Sequence, residues 1–89
     1  MTNQEQKKLS LGFLGAGGKL NIVGGFLEFK HPYGRFFKVP VKDINTVTVD
    51  VVGLGKCKLK IIGNGTELAS TDMPKNWAFK AQQWILENK

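Results

Sequence analysis

The sequence predicts a mainly β domain closed by one C-terminal α-helix, and three observations carry that expectation. Short runs of alternating apolar and polar residues fill positions 19–70, each bounded by a turn signal. The eleven glycines are spread between these runs as punctuation rather than gathered in one tract. Only residues 74–87, P-K-N-W-A-F-K-A-Q-Q-W-I-L-E, keep a helical period. At ~100° per residue, Trp77, Ala78, Ala81, Trp84 and Ile85 share one stripe of that helix. Buried tryptophans contribute roughly 150–250 Å² each, so this stripe is the expected plug of a small curled sheet.

The elements follow in order. Residues 1–8 are polar and aperiodic and read as a loose tail. Residues 9–14, L-S-L-G-F-L, have the apolar character of a strand or ordered arm, and G-A-G-G then reads as a flexible break. Residues 1–18 are thus set apart from the domain proper at 19–89. Lys19–Val23 and Phe26 onward form a hairpin around Gly24-Gly25, a pair that tolerates the positive φ of a tight turn. Parity places Ile22 opposite Leu27 and Leu20 opposite Phe29, with Asn21 opposite Glu28 on the other face. His31-Pro32-Tyr33-Gly34-Arg35 is a second turn. The strand after it puts Phe37, Val39 and Val41 on one side, and Pro40 makes it an edge or bends it. Residues 45–52 and 56–62 form the clearest pair, with Val51 opposite Cys57, Val49 opposite Leu59 and Val47 opposite Ile61. On their other face Asp50 meets Lys58 and Thr48 meets Lys60. Residues 66–70 are the last strand, with Leu68 inward, and Asp72 is the expected helix N-cap ahead of Pro74.

Composition sets the bounds. Eighty-nine residues make one small domain, and 42% hydrophobic with 22% charged residues is globular. The net charge of +6 and pI of about 9.7 suit an anionic partner, although such a charge is also ordinary for solubility. A lone Cys57 and a lone His31 exclude an internal disulfide and a multi-histidine metal cage. No apolar run approaches the ~20 residues of a membrane span. The start faintly imitates a signal peptide, but its apolar stretch is short and glycine-rich, so the expected location is cytoplasmic.

The glycine-rich stretch 11–20 tempts a phosphate-loop reading. The motif requires glycine where Phe13 stands and Ser or Thr where Leu20 stands, so it fails twice. Ser10 and Ser70 have only His31 as a base, and nothing brings them together. The chain therefore reads as a non-enzyme with no cofactor. Lys56, Lys58 and Lys60 alternate along one strand face; Asp50 opposite Lys58 makes an ordinary solvated face the simpler account. Lys30, Arg35, Lys38 and Lys42, with His31, gather in sequence around the Tyr33 turn and form the candidate anion-binding group for a phospholipid surface or nucleic acid. Phe79 and Leu86 fall opposite the Trp77–Trp84 stripe, one heptad apart. They predict an interaction patch, covered either by the arm bearing Leu11 and Phe13 or by another chain.

The runs G-K-L-N-I-V-G-G-F-L-E-F-K-H and R-F-F-K-V-P-V-K-D-I-N-T-V-T-V resemble the bacterial pleckstrin-homology-like (PH-like) families, many of them uncharacterised. So do the step from Pro40 to Ile44, the segment G-N-G-T-E-L-A and the tryptophan helix. The resemblance covers roughly residues 19–89. It implies a bent antiparallel barrel of about six or seven strands capped by the helix, and a role in binding phosphoinositides, peptides or proteins. The basic-x-Arg step of lipid-binding members is broken here, because Tyr33 stands two before Arg35. The expected function is a non-catalytic module working through protein contacts or self-association, with anion binding through residues 30–42 as the alternative.

Overall fold

The computed structural model describes residues 7–89. The tail expected over residues 1–8 therefore lies, for its first six positions, outside the described residues. Among the described residues seven strands precede one α-helix: β1 (Lys7–Ser10), β2 (Lys19–Val23), β3 (Phe26–Lys30), β4 (Phe36–Pro40), β5 (Thr46–Gly53), β6 (Lys56–Gly63), β7 (Thr66–Pro74) and α1 (Lys75–Asn88). Strands β1 to β4 form one antiparallel sheet in sequence order, and β5 to β7 form a second. β4 and β7 touch but do not pair, so the two sheets meet at a seam.

Alternation explains both registers. In β2–β3, Leu20 pairs with Phe29 and Ile22 with Leu27, as parity requires. In β5–β6, Val47, Val49 and Val51 meet Ile61, Leu59 and Cys57, while Thr48 and Asp50 meet Lys60 and Lys58. The apolar sets turn inward, leaving Leu20, Leu27, Phe29 and Val39 of one sheet facing Val47, Cys57, Leu59 and Ile61 of the other. β4 is an edge strand, which is where a proline can sit without losing a ladder bond.

Three expectations need correction. β7 does not stop at Ser70; it pairs with β6 through Pro74, and Met73 is buried opposite Cys57. Asp72 is accordingly a strand residue and cannot cap the helix. The first amide of α1 is satisfied instead by the Gly55 carbonyl, 2.9 Å from Lys75 N in the β5–β6 turn. The glycine-rich break is a packed loop. Leu11 N donates to Gly18 O at 2.9 Å and Gly17 N to Leu11 O at 2.7 Å, closing it at its base. Leu11 lies fully inside the core and β1 pairs with β2, so residues 7–18 are continuous with the first sheet.

The helix is seated differently from the tryptophan-centred expectation. Ala78, Ala81 and Ile85 are its fully buried residues, whereas Trp77 and Trp84 are half-buried against the core edge. Small alanines at the centre let the helix axis approach the sheets, and the bulky indoles fit only at one side. The Trp77 ring lies against Gly12 and Gly17. A Cβ at Gly17 would collide with the ring, and one at Gly12 would come within 2.7 Å of it. Gly18 plays the same part under Phe29, where a Cβ would meet the ring at 2.6 Å.

Gly17→Ala is expected to destabilise the fold by ~1–3 kcal/mol, because the methyl overpacks the indole. Gly53→Ala, where an added Cβ meets nothing within 4 Å, is expected to stay within about 0.5 kcal/mol of the parent. Urea midpoints compare them, and equal midpoints would reject the cradle.

Candidate binding surface

Helix geometry decides what α1 leaves outside. Relative to the buried Ala78–Ala81–Ile85 line, Trp77 and Trp84 lie about 80° to one side and Phe79 and Leu86 about 115° to the other. Phe79 and Leu86 are therefore a second flank rather than the back. That flank is fixed by Gln82, whose amide Nε2 donates to Val47 O on β5 at 2.8 Å. Phe79 and Leu86 are three before and four after Gln82, so they flank it along the same side of the helix. Both keep substantial exposure, 45% and 40%.

β5 is the outer strand of its sheet. Because Val47 O turns outward to Gln82, alternation turns the backbone groups of Val49 and Val51 outward as well. Their side chains point to the face that α1 packs on, yet Val51 is 71% exposed. Val52, at the end of β5, and Leu54, in the β5–β6 turn, are exposed as well. A strand edge that is unpaired among the described residues, beside a phenylalanine and a leucine, can add an extended segment: backbone groups supply the bonds and the apolar flank supplies burial.

The other predicted patch residues go elsewhere. Leu11 is in the core and unavailable to any partner. Phe13 is 84% exposed on the loop that cradles Trp77, on the tryptophan side of α1. The arm therefore covers Trp77 and leaves Phe79 and Leu86 open.

The candidate anion group is likewise not brought together. Lys38 Nζ lies 3.7 Å from Glu28 and 4.7 Å from the Phe26 ring centroid. Arg35 turns across the seam, where its Nη1 donates to Asp72 O at 3.2 Å. Lys30 pairs with Phe36 at one end of the β3–β4 ladder, and Lys42 follows the other end, where Phe26 pairs with Pro40. Four residues at ~3.3 Å separate those ends by roughly 13 Å. Tyr33, 90% exposed, stands at the tip of a turn closed by His31 N donating to Arg35 O at 2.8 Å.

Beneath Arg35 the seam opens into a cleft of about 400 Å³, floored by Phe29 and Phe37 and walled by Lys58, Ser70, Thr71 and Asp72. Phe29 and Phe37 stack at 5.4 Å. Thr71 Oγ1 and Asp72 Oδ1 are buried there without a hydrogen-bond partner among the described residues. Alternation alone could not find this cleft, because it depends on how two separate sheets abut.

No family model, no curated protein and no solved structure matches the chain. Among the described residues no group of three or more His, Cys, Asp or Glu could hold a metal ion, and no helix is long and apolar enough to cross a membrane.

Two of the three β6 lysines, Lys56 and Lys60, lie within ion-pair distance of Asp72 and Asp50. Lys60 Nζ lies 2.8 Å from Asp50, and that hydrogen bond, with the charge behind it, raises the lysine above its ordinary 10.5. A raised folded value means that the pair's small contribution is fully present below pH 10.5 and fades as pH climbs through the folded value. Asp50→Asn should return Lys60 toward 10.5 in an NMR titration of its side chain; an unmoved titration would remove Asp50 as the cause.

Proposed function

We propose that this chain is a non-catalytic binding module of the PH-like kind that receives an extended, largely apolar polypeptide segment along β5. The observation that carries this reading is the outward-facing β5 edge lying beside Phe79 and Leu86. The PH-like assignment is supported by the order of four strands, three strands and a C-terminal helix, and by the way α1 packs on the three-stranded sheet and reaches β1 of the other. A cytoplasmic setting agrees with the single buried thiol of Cys57.

Physical reasoning favours an extended occupant. A helix laid on this flank would cover Phe79 and Leu86 but leave the β5 amides unpaired. A strand satisfies both at once, and its alternate side chains would fall against Phe79, Leu86 and Val51. Each phenylalanine or leucine so covered gains up to about 1.5–3 kcal/mol of burial, less what exposure it has already lost.

Selection from a random peptide library displayed on phage should enrich apolar, extended sequences. Their binding should fall at least ~10-fold in the Phe79→Asp, Leu86→Ser double variant, a loss of about 1.4 kcal/mol or more. Sedimentation velocity on the parent across a wide concentration range tests a second copy as the occupant. No enrichment, or binders indifferent to the double variant, would overturn the reading.

A further inference from the structure

Sheet lysines in this protein are of two sorts. Lys60 lies 2.8 Å from Asp50, Lys56 3.6 Å from Asp72 and Lys38 3.7 Å from Glu28. Lys58 stands in register between Asp50 and Asp72. The outer face of β1, β2 and β3 is built otherwise. Lys19 is directly opposite Lys30 on one side and Ser10 on the other, and Lys8 is opposite Asn21. Leu20 and Phe29 are buried, so alternation turns these neighbours outward. Lys8, Ser10, Lys19, Asn21 and Lys30 line a cleft of about 350 Å³.

Among the described residues no carboxylate lies within ion-pair distance of Lys8, Lys19 or Lys30. Glu28, the acid in register with Asn21, is engaged by Lys38. Like charges directly opposite on a ladder are destabilising. The chain places an acid in register with Lys38 of β4 and Lys58 of β6 and within ion-pair distance of Lys56 and Lys60, whereas among the described residues the Lys19–Lys30 contact carries an unrelieved repulsion, and such local costs collect at functional sites.

We propose that Lys8, Lys19 and Lys30 form a site for a compact phosphate cluster of diphosphate or triphosphate size. Three adjacent strands span about 10 Å, so three flexible ammonium groups can converge on one anion. The Ser10 hydroxyl and the Asn21 amide add neutral donors at the same cleft. A compact anion fits better than a long polyanion, because the neighbouring Lys38 is paired with Glu28 at 3.7 Å. Sequence reading weighs Lys19 only as the lysine of a phosphate loop, which fails, and places Lys8 in the loose tail; only the β1–β2–β3 register brings them to Lys30.

NMR titration of the whole chain with sodium tripolyphosphate at constant ionic strength tests the site. Saturable shifts are expected around residues 8–10, 19–21 and 28–30. Lys19→Gln with Lys30→Gln should weaken binding at least ~10-fold, as the loss of two charge-assisted contacts requires. The same pair should raise the unfolding midpoint, because it removes the repulsion. Lys38→Gln with Lys42→Gln should change affinity less than about two-fold if general charge screening is all it alters. No saturation, or equal losses in both pairs, would overturn the site. Vesicles of phosphatidylcholine with phosphatidic acid or phosphatidylglycerol at equal charge then identify the source. Binding to phosphatidic acid alone, abolished by the Lys19, Lys30 pair, places the phosphate on a lipid headgroup. Binding to neither, with tripolyphosphate still bound, places it on a soluble compound. Binding to both regardless of the pair would leave only diffuse attraction and reject the proposal.

Discussion

The seating of the Trp77 indole against Gly12 and Gly17 is the contact on which the rest of the structure depends. It joins the loop after the first strand to the first turn of the last element. Neither partner could take this position alone. The loop is held closed by its own backbone bonds, and the indole is wedged where side chains at those two glycines would stand. Overpacked or emptied, the contact would leave the first turns of α1 held mainly by Ala78 and Ala81, and alanines bury little area.

That contact also sets the rotation of the helix and hence its public face. With the indoles held to one side, Gln82 meets the β5 backbone on the other, and Phe79 and Leu86 flank it. A helix rotated by one residue would bury Leu86 or Phe79 and send Ile85 or Ala78 outward. The exposed flank is thus the consequence of glycines more than sixty positions away in the chain.

The strand registers were legible because period-two alternation with glycine turns leaves one pairing that keeps Leu20, Phe29, Val47 and Ile61 inside. The helix was legible in extent but not in rotation. A stripe centred on tryptophans is the natural reading of area, and it misses that small residues let two surfaces approach. Proximity in sequence misled at the basic cluster: Lys30 and Lys42 are near in number, but they end on opposite ends of a ladder. Lys8, Lys19 and Lys30 became neighbours only through strand pairing. The seam cleft, made by two sheets abutting without a ladder, left no local trace in the residues that line it.

Cys57 lies in the middle of this arrangement, fully buried on β6 between Val51 and Met73. A thiol so enclosed reacts only when β6 is uncovered, which makes it a built-in clock for the breathing of the second sheet. The outer neighbour Val51 is mostly bare, so the shortest way in is past the β5 edge rather than through the helix. Anything that adds a strand there would lengthen the waiting time for alkylation without touching the cysteine. The reactivity of one side chain would then report occupancy of a surface it does not belong to.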